Sequence, residues 1–180
     1  LLGPSTSHFF GTDSYGRDLF SLVGYGSRIS LGVAVSAVFI GLLPGVFIGM
    51  LAGMYRGGLW ESLITQTVDA WMALPGLLVA LVMVATFGRS LNVLTWALGI
   101  SMIPMFYRLS RGETMRVSME LYVEAATSLG ASKRRILFTH ILPNIASPII
   151  VMVALACGRM LLATSALSFI GLGAPPPTPE

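Results

Sequence analysis

The stretch 124–143, EAATSLGASKRRILFTHILP, is charged and broken by a glycine, yet it lies between long uncharged apolar stretches. Its residues predict two short helices meeting at a corner. Residues 118–129 read as the first, with Leu121, Ala125 and Leu129 on one face at i, i+4 and i+8. Gly130 suits the position just past a helix end where φ turns positive. Ser132 suits the N-cap of a second helix running through residues 133–141. Pro143 and Asn144 mark the junction with the next apolar helix. With small Ala125 and Ala126 near the corner, such a projection suits insertion into a groove of another protein. A solvated hairpin that only joins two spans has the same spacing.

Working outward, the surroundings decide the class. Of 180 residues, 54% are hydrophobic and only 11% charged, with a mean hydropathy of +0.80. An ordinary soluble domain carries about 25% charged residues. Half that fraction leaves too little polar surface for a water-soluble globule, so the chain reads as an all-α integral membrane protein. The net charge of +3 does not point to nucleic acid, because the densest basic cluster sits in one loop and no aromatic residues interleave with it. The single Cys157 lies in an apolar stretch and offers no disulfide framework.

Four uncharged stretches are long enough to cross a bilayer: residues 29–55, 70–88, 90–107 and 141–158. Eighteen residues of helix reach about 27 Å, close to the ~30 Å hydrocarbon thickness. The expectation is about four transmembrane helices, at 29–55, 70–88, 90–107 and 141–164. The second and third are joined by a tight turn at Phe87-Gly88-Arg89-Ser90, although a re-entrant loop has the same signature. Lys and Arg counts orient them. Arg56, Arg108, Arg111, Arg116, Lys133, Arg134 and Arg135 fall on the side of the 108–140 loop, against Arg17, Arg28 and Arg89 opposite, with Arg159 towards the outer end of the last helix. That makes 108–140 cytoplasmic, and places 1–28 and 165–180 outside. The chain begins Leu1-Leu2-Gly3 and closes on a proline run at Pro175-Pro176-Pro177; the expectation is an internal piece of a longer chain with spans missing at both ends.

Gly41, Gly45, Gly49 and Gly53 recur every four residues and fall along one ridge of the first helix, a pattern that lets another helix approach closely. The ridge serves either packing within the chain or a subunit interface or pathway. Pro44, inside the same helix, is expected to bend it. Ionisable residues in spans are functional candidates, which singles out Asp69 at the inner end of the second span and Arg159 towards the outer end of the fourth; both can also snorkel or pair locally. No Asp or Glu lies near the middle of a span, which weighs against a proton- or sodium-coupled carrier. His8 and His140 have no metal-ligand cluster around them, and Asp13 and Asp18 more plausibly cap a short outer helix than bind calcium. No G-x-x-x-x-G-K-[ST] phosphate loop exists, and Lys133 is the only lysine. The chain supplies no ATP chemistry of its own, and no cofactor is expected.

Glu124-Ala125-Ala126, then Gly130, then Ile141-Leu142-Pro143-Asn144 resembles the EAA loop of permease subunits of binding-protein-dependent ABC importers. His140, two positions before Leu142-Pro143, replaces the isoleucine those families often show, a variant similar to the peptide and nickel branch. Gly11-Thr-Asp-Ser-Tyr-Gly-Arg-Asp18, Tyr55-Arg-Gly-Gly58, Asp69 followed by Ala73-Leu74-Pro75, and Leu167-Ser-Phe-Ile-Gly-Leu-Gly173 resemble the same branch, in the same order. The resemblance covers essentially the whole chain and is nearest to the second (C-type) permease of dipeptide/oligopeptide importers.

It implies a type I importer permease fold, in a bacterial or archaeal cytoplasmic membrane, with residues near 124–135 as coupling helices. It further implies ATP-hydrolysing subunits, a second homologous permease and an extracytoplasmic substrate-binding protein as partners. The docking residues implied are Tyr122, Glu124, Ala125, Ala126, Leu129, Gly130, Ala131, Ser132 and Arg135. Peptide, nickel and glutathione importers share these motifs. An ion-coupled secondary transporter and a membrane scaffold without transport are the competing readings.

Overall fold

Most of the helices stop where glycine or proline makes continuation costly. In the computed structural model, which describes residues 2–5 and 8–171, α1 (Leu19–Met54, 36 residues) gives way at a turn through Gly57, whose φ is +82°. Then α2 (Leu59–Met72) ends ahead of Leu74-Pro75, because a residue before proline is pushed out of the helical region. Next, α3 (Gly76–Phe87) stops at Gly88, with φ +88°, and Ser90 opens α4 (Leu91–Ser118) by accepting the Val93 amide at 3.2 Å. After α5 (Leu121–Ser128), a short α6 (Lys133–Arg135) passes through a π-helical segment (Ile136–Ile141) into α7 (Leu142–Phe169).

Among the described residues, three continuous helices are long and apolar enough to cross a membrane: Leu19–Met54, Leu91–Ser118 and the run Lys133–Phe169. A fourth crossing exists if α2 and α3 count as one broken span, and these meet at 82°. The fold is therefore helical throughout its membrane part, and the second expected span (70–88) is not one helix but the end of α2 and all of α3.

Other boundaries move for one common reason: charges mark where a membrane ends, not where a helix ends. The segment 19–28, expected as an outer segment, is already helical, because Asp18 caps α1 by accepting the Ser21 amide at 2.9 Å and its hydroxyl at 2.7 Å. At about 54 Å, α1 is longer than a hydrocarbon core is thick. Likewise α4 continues 11 residues past Tyr107, and its end replaces the start of the short helix expected at 118–129. Pro44 does not interrupt α1. The junction expected at Pro143 is absent, since the helix runs unbroken from Lys133 to Phe169. Pro143 has no N–H to give the carbonyl one turn back, and the wider π-turn just before it absorbs that missing bond. Residues 165–169, expected in an outer loop, belong to α7. The proline run and the rest of that loop, 172–180, lie outside the described residues.

Packing centres on α1 and α4. Ala34, Ala37, Leu94, Leu98 and Phe106 form the middle of one buried cluster, which α3 joins through Ala80 and Val84 and α7 through Ala156 and Met160. A second cluster lies at the end that carries α5, built on Met50, Val117, Val123, Ile136, Ile141 and Ile145.

Candidate coupling site and membrane pathway

The hairpin 121–135 is built from two local devices and one buried anchor. Its corner is a Schellman motif: the Ala131 amide donates to the Ala126 carbonyl at 3.1 Å and the Gly130 amide to the Thr127 carbonyl at 2.9 Å. Gly130 sits at φ +82°, as its place past the helix end demands. On the other side of the corner, Ser132 caps α6 by accepting the Arg135 amide at 3.4 Å. The anchor is Val123, 3% exposed in the cluster with Ile136, Leu137 and Ile141. The sequence did not single it out, since a lone valine in an alanine-rich turn carries no periodic signal.

With Val123 inward, the stripe of Leu121, Ala125 and Leu129 faces out. Leu121 is 81% and Leu129 88% exposed, and Ala125 is exposed as well. Glu124, Gly130, Ser132 and Arg135 are exposed beside them, Tyr122 is 44% exposed, and Ala126 and Ala131 are half-buried at the corner. Tyr122 leans towards His140, ring centres 6.3 Å apart. Glu124 lies in the first turn of α5, where the helix dipole favours a carboxylate. The structure thus gathers every residue of the expected docking set on one projection, attached without a break to α7.

The glycine ridge lies elsewhere and faces inside the chain. A Cβ on Gly41 would lie 2.7 Å from the Met102 Cβ, on Gly45 2.7 Å from the Phe106 Cβ, on Gly49 2.5 Å from the Tyr107 carbonyl oxygen, and on Gly53 2.8 Å from the Arg111 carbonyl oxygen. From the opposite helix, Gly99 meets Ile40 in the same way. Ser110 also donates across the seam to the Val46 carbonyl at 2.9 Å. Of the two readings of this ridge, packing within the chain is what the structure has, with α4 filling the groove.

Asp69 and Arg159 are both exposed and form no ion pair or hydrogen bond among the described residues. They join neither each other nor the hairpin. An ionisable contact that does tie two elements together is Glu61 on α2 with Arg111 on α4, where the Glu61 Oε1 accepts from the Arg111 Nε at 3.0 Å and from its Nη2. Beside it the Thr65 hydroxyl and the Tyr107 hydroxyl share a 2.8 Å hydrogen bond. These partners are 50 and 42 residues apart, too far for any sequence pattern to join them.

At the start of α1, the expected pair of caps resolves into two tasks. Asp18 caps α1 and also meets the His8 Nδ1 at 3.2 Å. Asp13 instead organises a turn, accepting the Tyr15 and Arg17 amides at 2.8 and 2.9 Å and the Arg17 Nε at 2.8 Å. Hydrogen bonds from the Ser21 side chain and amide hold Asp18 below its ordinary value of 3.8. At Asp13 burial pushes upward, but the bonds from Arg17 and Tyr15 outweigh it and the carboxyl is also lowered.

Residues 45–180 match the sequence profile of the "binding-protein-dependent transport system inner membrane component" family. The chain belongs to that family. This inner membrane component is 47% identical over 178 residues to the glutathione transport system permease protein GsiD of Escherichia coli O6:K15:H31 (strain 536) and, equally, to that of Shigella boydii serotype 4. The matches take in 99% of this chain and 58% of each relative, so the chain spans little more than half the length of the curated relatives it matches. Among solved structures, a chain of the MetNI methionine ABC transporter in an inward-facing conformation superposes with a TM-score of 0.73 at 16% identity. That superposition covers 87% of this chain and 77% of the other, and shows the same fold, the type I importer permease fold.

Proposed function

We propose that this chain is a translocation subunit of an ATP-driven importer for small peptides, in a bacterial or archaeal cytoplasmic membrane. The observation that carries the reading is the exposed hairpin, its apolar stripe turned outward by the Val123 anchor and its second arm continuous with a membrane-crossing helix. An apolar stripe on a compact projection fits a groove on a water-soluble partner. A continuous helix carries a displacement of that projection into the bilayer.

The hairpin end faces the cytoplasm, on the Lys/Arg asymmetry of seven against three. There Tyr122, Glu124, Ala125, Ala126, Leu129, Gly130, Ala131, Ser132 and Arg135 dock into a separate ATP-hydrolysing subunit, so the chain itself is not an enzyme. A second homologous permease completes the pathway and a substrate-binding protein delivers cargo from outside. Glutathione is the first substrate to test, since the relatives of 47% identity are glutathione permeases by name; other di- and oligopeptides follow.

The test is reconstitution of the full-length permease with its companion permease, ATPase and binding protein in vesicles. ATP-dependent accumulation of labelled peptide is expected, abolished by omitting the binding protein. Uptake that proceeds without ATP and collapses with the proton gradient would overturn the proposal in favour of an ion-coupled carrier.

A further inference from the structure

Where the last two turns of α1 meet the base of the Lys133–Phe169 run, the surface opens into a groove of about 400 Å³. Phe47, Leu51, Tyr55 and Phe138 line it, together with Lys133 and Arg134. Phe47, Tyr55 and Phe138 are about half exposed. The Lys133 ammonium lies 4.5 Å above the centre of the Tyr55 ring, which holds it at the groove. Neither Lys133, Arg134 nor the neighbouring Arg56 forms an ion pair among the described residues. Three carboxylates of the described residues are engaged elsewhere: Glu61 with Arg111, and Glu113 and Glu120 with Arg116.

Two chemistries therefore meet in one groove. Its floor is apolar and belongs to the terminal turns of membrane-crossing helices, while its mouth carries uncompensated cations on the hairpin side. A neutral helix seated there would leave those cations without counter-charge. A water-soluble acidic partner would not reach Phe47, two turns inside the end of α1. The molecule with both parts at this depth is a lipid with an anionic headgroup, and basic pockets between helices at the cytoplasmic face are where such headgroups bind.

We propose that this groove binds an anionic phospholipid, its acyl chain along Phe47, Leu51 and Phe138 and its phosphate against Lys133 and Arg134. The inference rests on the reading that the hairpin end lies at the bilayer surface. The lipid bridges the tip of α1 to the base of the coupling hairpin, so the negative-lipid content of the membrane sets how firmly that base is held.

The experiment uses the assembled importer in nanodiscs of phosphatidylcholine alone or with phosphatidylglycerol, read by native mass spectrometry and by peptide-stimulated ATP hydrolysis on the same samples. Wild type should retain phosphatidylglycerol in preference to phosphatidylcholine. The K133Q/R134Q variant should weaken that retention by roughly 30-fold, about fivefold per charge removed at the surface. The charge-keeping K133R/R134K variant should retain it. Equal retention of the two lipids, or unchanged retention in K133Q/R134Q, overturns the proposal. So does a cross-link from Phe138→Cys to another segment of the full-length chain, which would mean protein fills the groove. Absence of coupled ATP hydrolysis in every lipid would instead count against the importer reading, whatever the lipid retention.

Discussion

Gly130 and Gly49 are glycines for opposite reasons, and substitution separates them. At Gly130 the space where a Cβ would point is open and the constraint is φ +82° alone. A side chain there costs about 1–2 kcal/mol of backbone strain and turns the second arm of the hairpin off course. Gly130→Leu should insert in the membrane normally yet lose most ATP-driven uptake in reconstituted vesicles. Gly130→Asn, which tolerates the left-handed region, should recover much of it; wild-type uptake by the leucine variant would dismiss the corner from coupling. Asp18 offers a second check at this scale. Its folded pKa is depressed, so the cap is at full strength above the ordinary 3.8 and is lost as pH falls through the lower folded value. Following its carboxyl carbon resonance through an acid titration should give a midpoint below 3.8, and a midpoint at or above that value would show that the Ser21 bonds do not hold in solution.

Elements were legible to the extent that their causes are local. The glycine period of α1, the turn at Gly88, the Gly130 corner and the Ser132 cap each depend on a few adjacent residues, and each is where the pattern put it. The lengths of α1 and α4 were not legible in this way, because uncharged stretches measure bilayer depth while the helical backbone runs past them, from the Asp18 cap in α1 and on to Ser118 in α4. The break in the second span hid behind apolar composition, although Leu74-Pro75 carried the signal. The hairpin's anchor was unreadable for a different reason: the period of Leu121, Ala125 and Leu129 says only that they share a face, and tertiary packing reveals that Val123 is the residue buried. The α1–α4 seam yields a test of its own. Gly45→Ala places a methyl 2.7 Å from the Phe106 Cβ and should cost about 1–3 kcal/mol through overpacking, seen as a lower melting temperature in detergent. Gly32→Ala, with nothing within 4 Å, should leave it unchanged or slightly raised; equal behaviour of the two would deny the close approach.

At the scale of the molecule, the proposed coupling requires the run Lys133–Phe169 to behave as one body. An alanine inserted between Ile149 and Ile150 rotates everything beyond it by about 100° relative to the hairpin while leaving the docking face intact. The expected result is an importer whose ATPase subunits still bind and hydrolyse ATP but whose uptake fails. Retained uptake would mean that force does not travel along this helix.

The glycine seam has a mechanical consequence for all of this. Two helices pressed together from Gly41 to Gly53, with a hydroxyl of one bonded to a carbonyl of the other, have little room to draw closer. In the proposed transport cycle they are the stator: α1 and α4 form the frame against which other parts turn. Whatever swings open and shut during a transport cycle has then to be sought in the 82° elbow between α2 and α3 and in the α7 rod. The frame itself contributes by staying still.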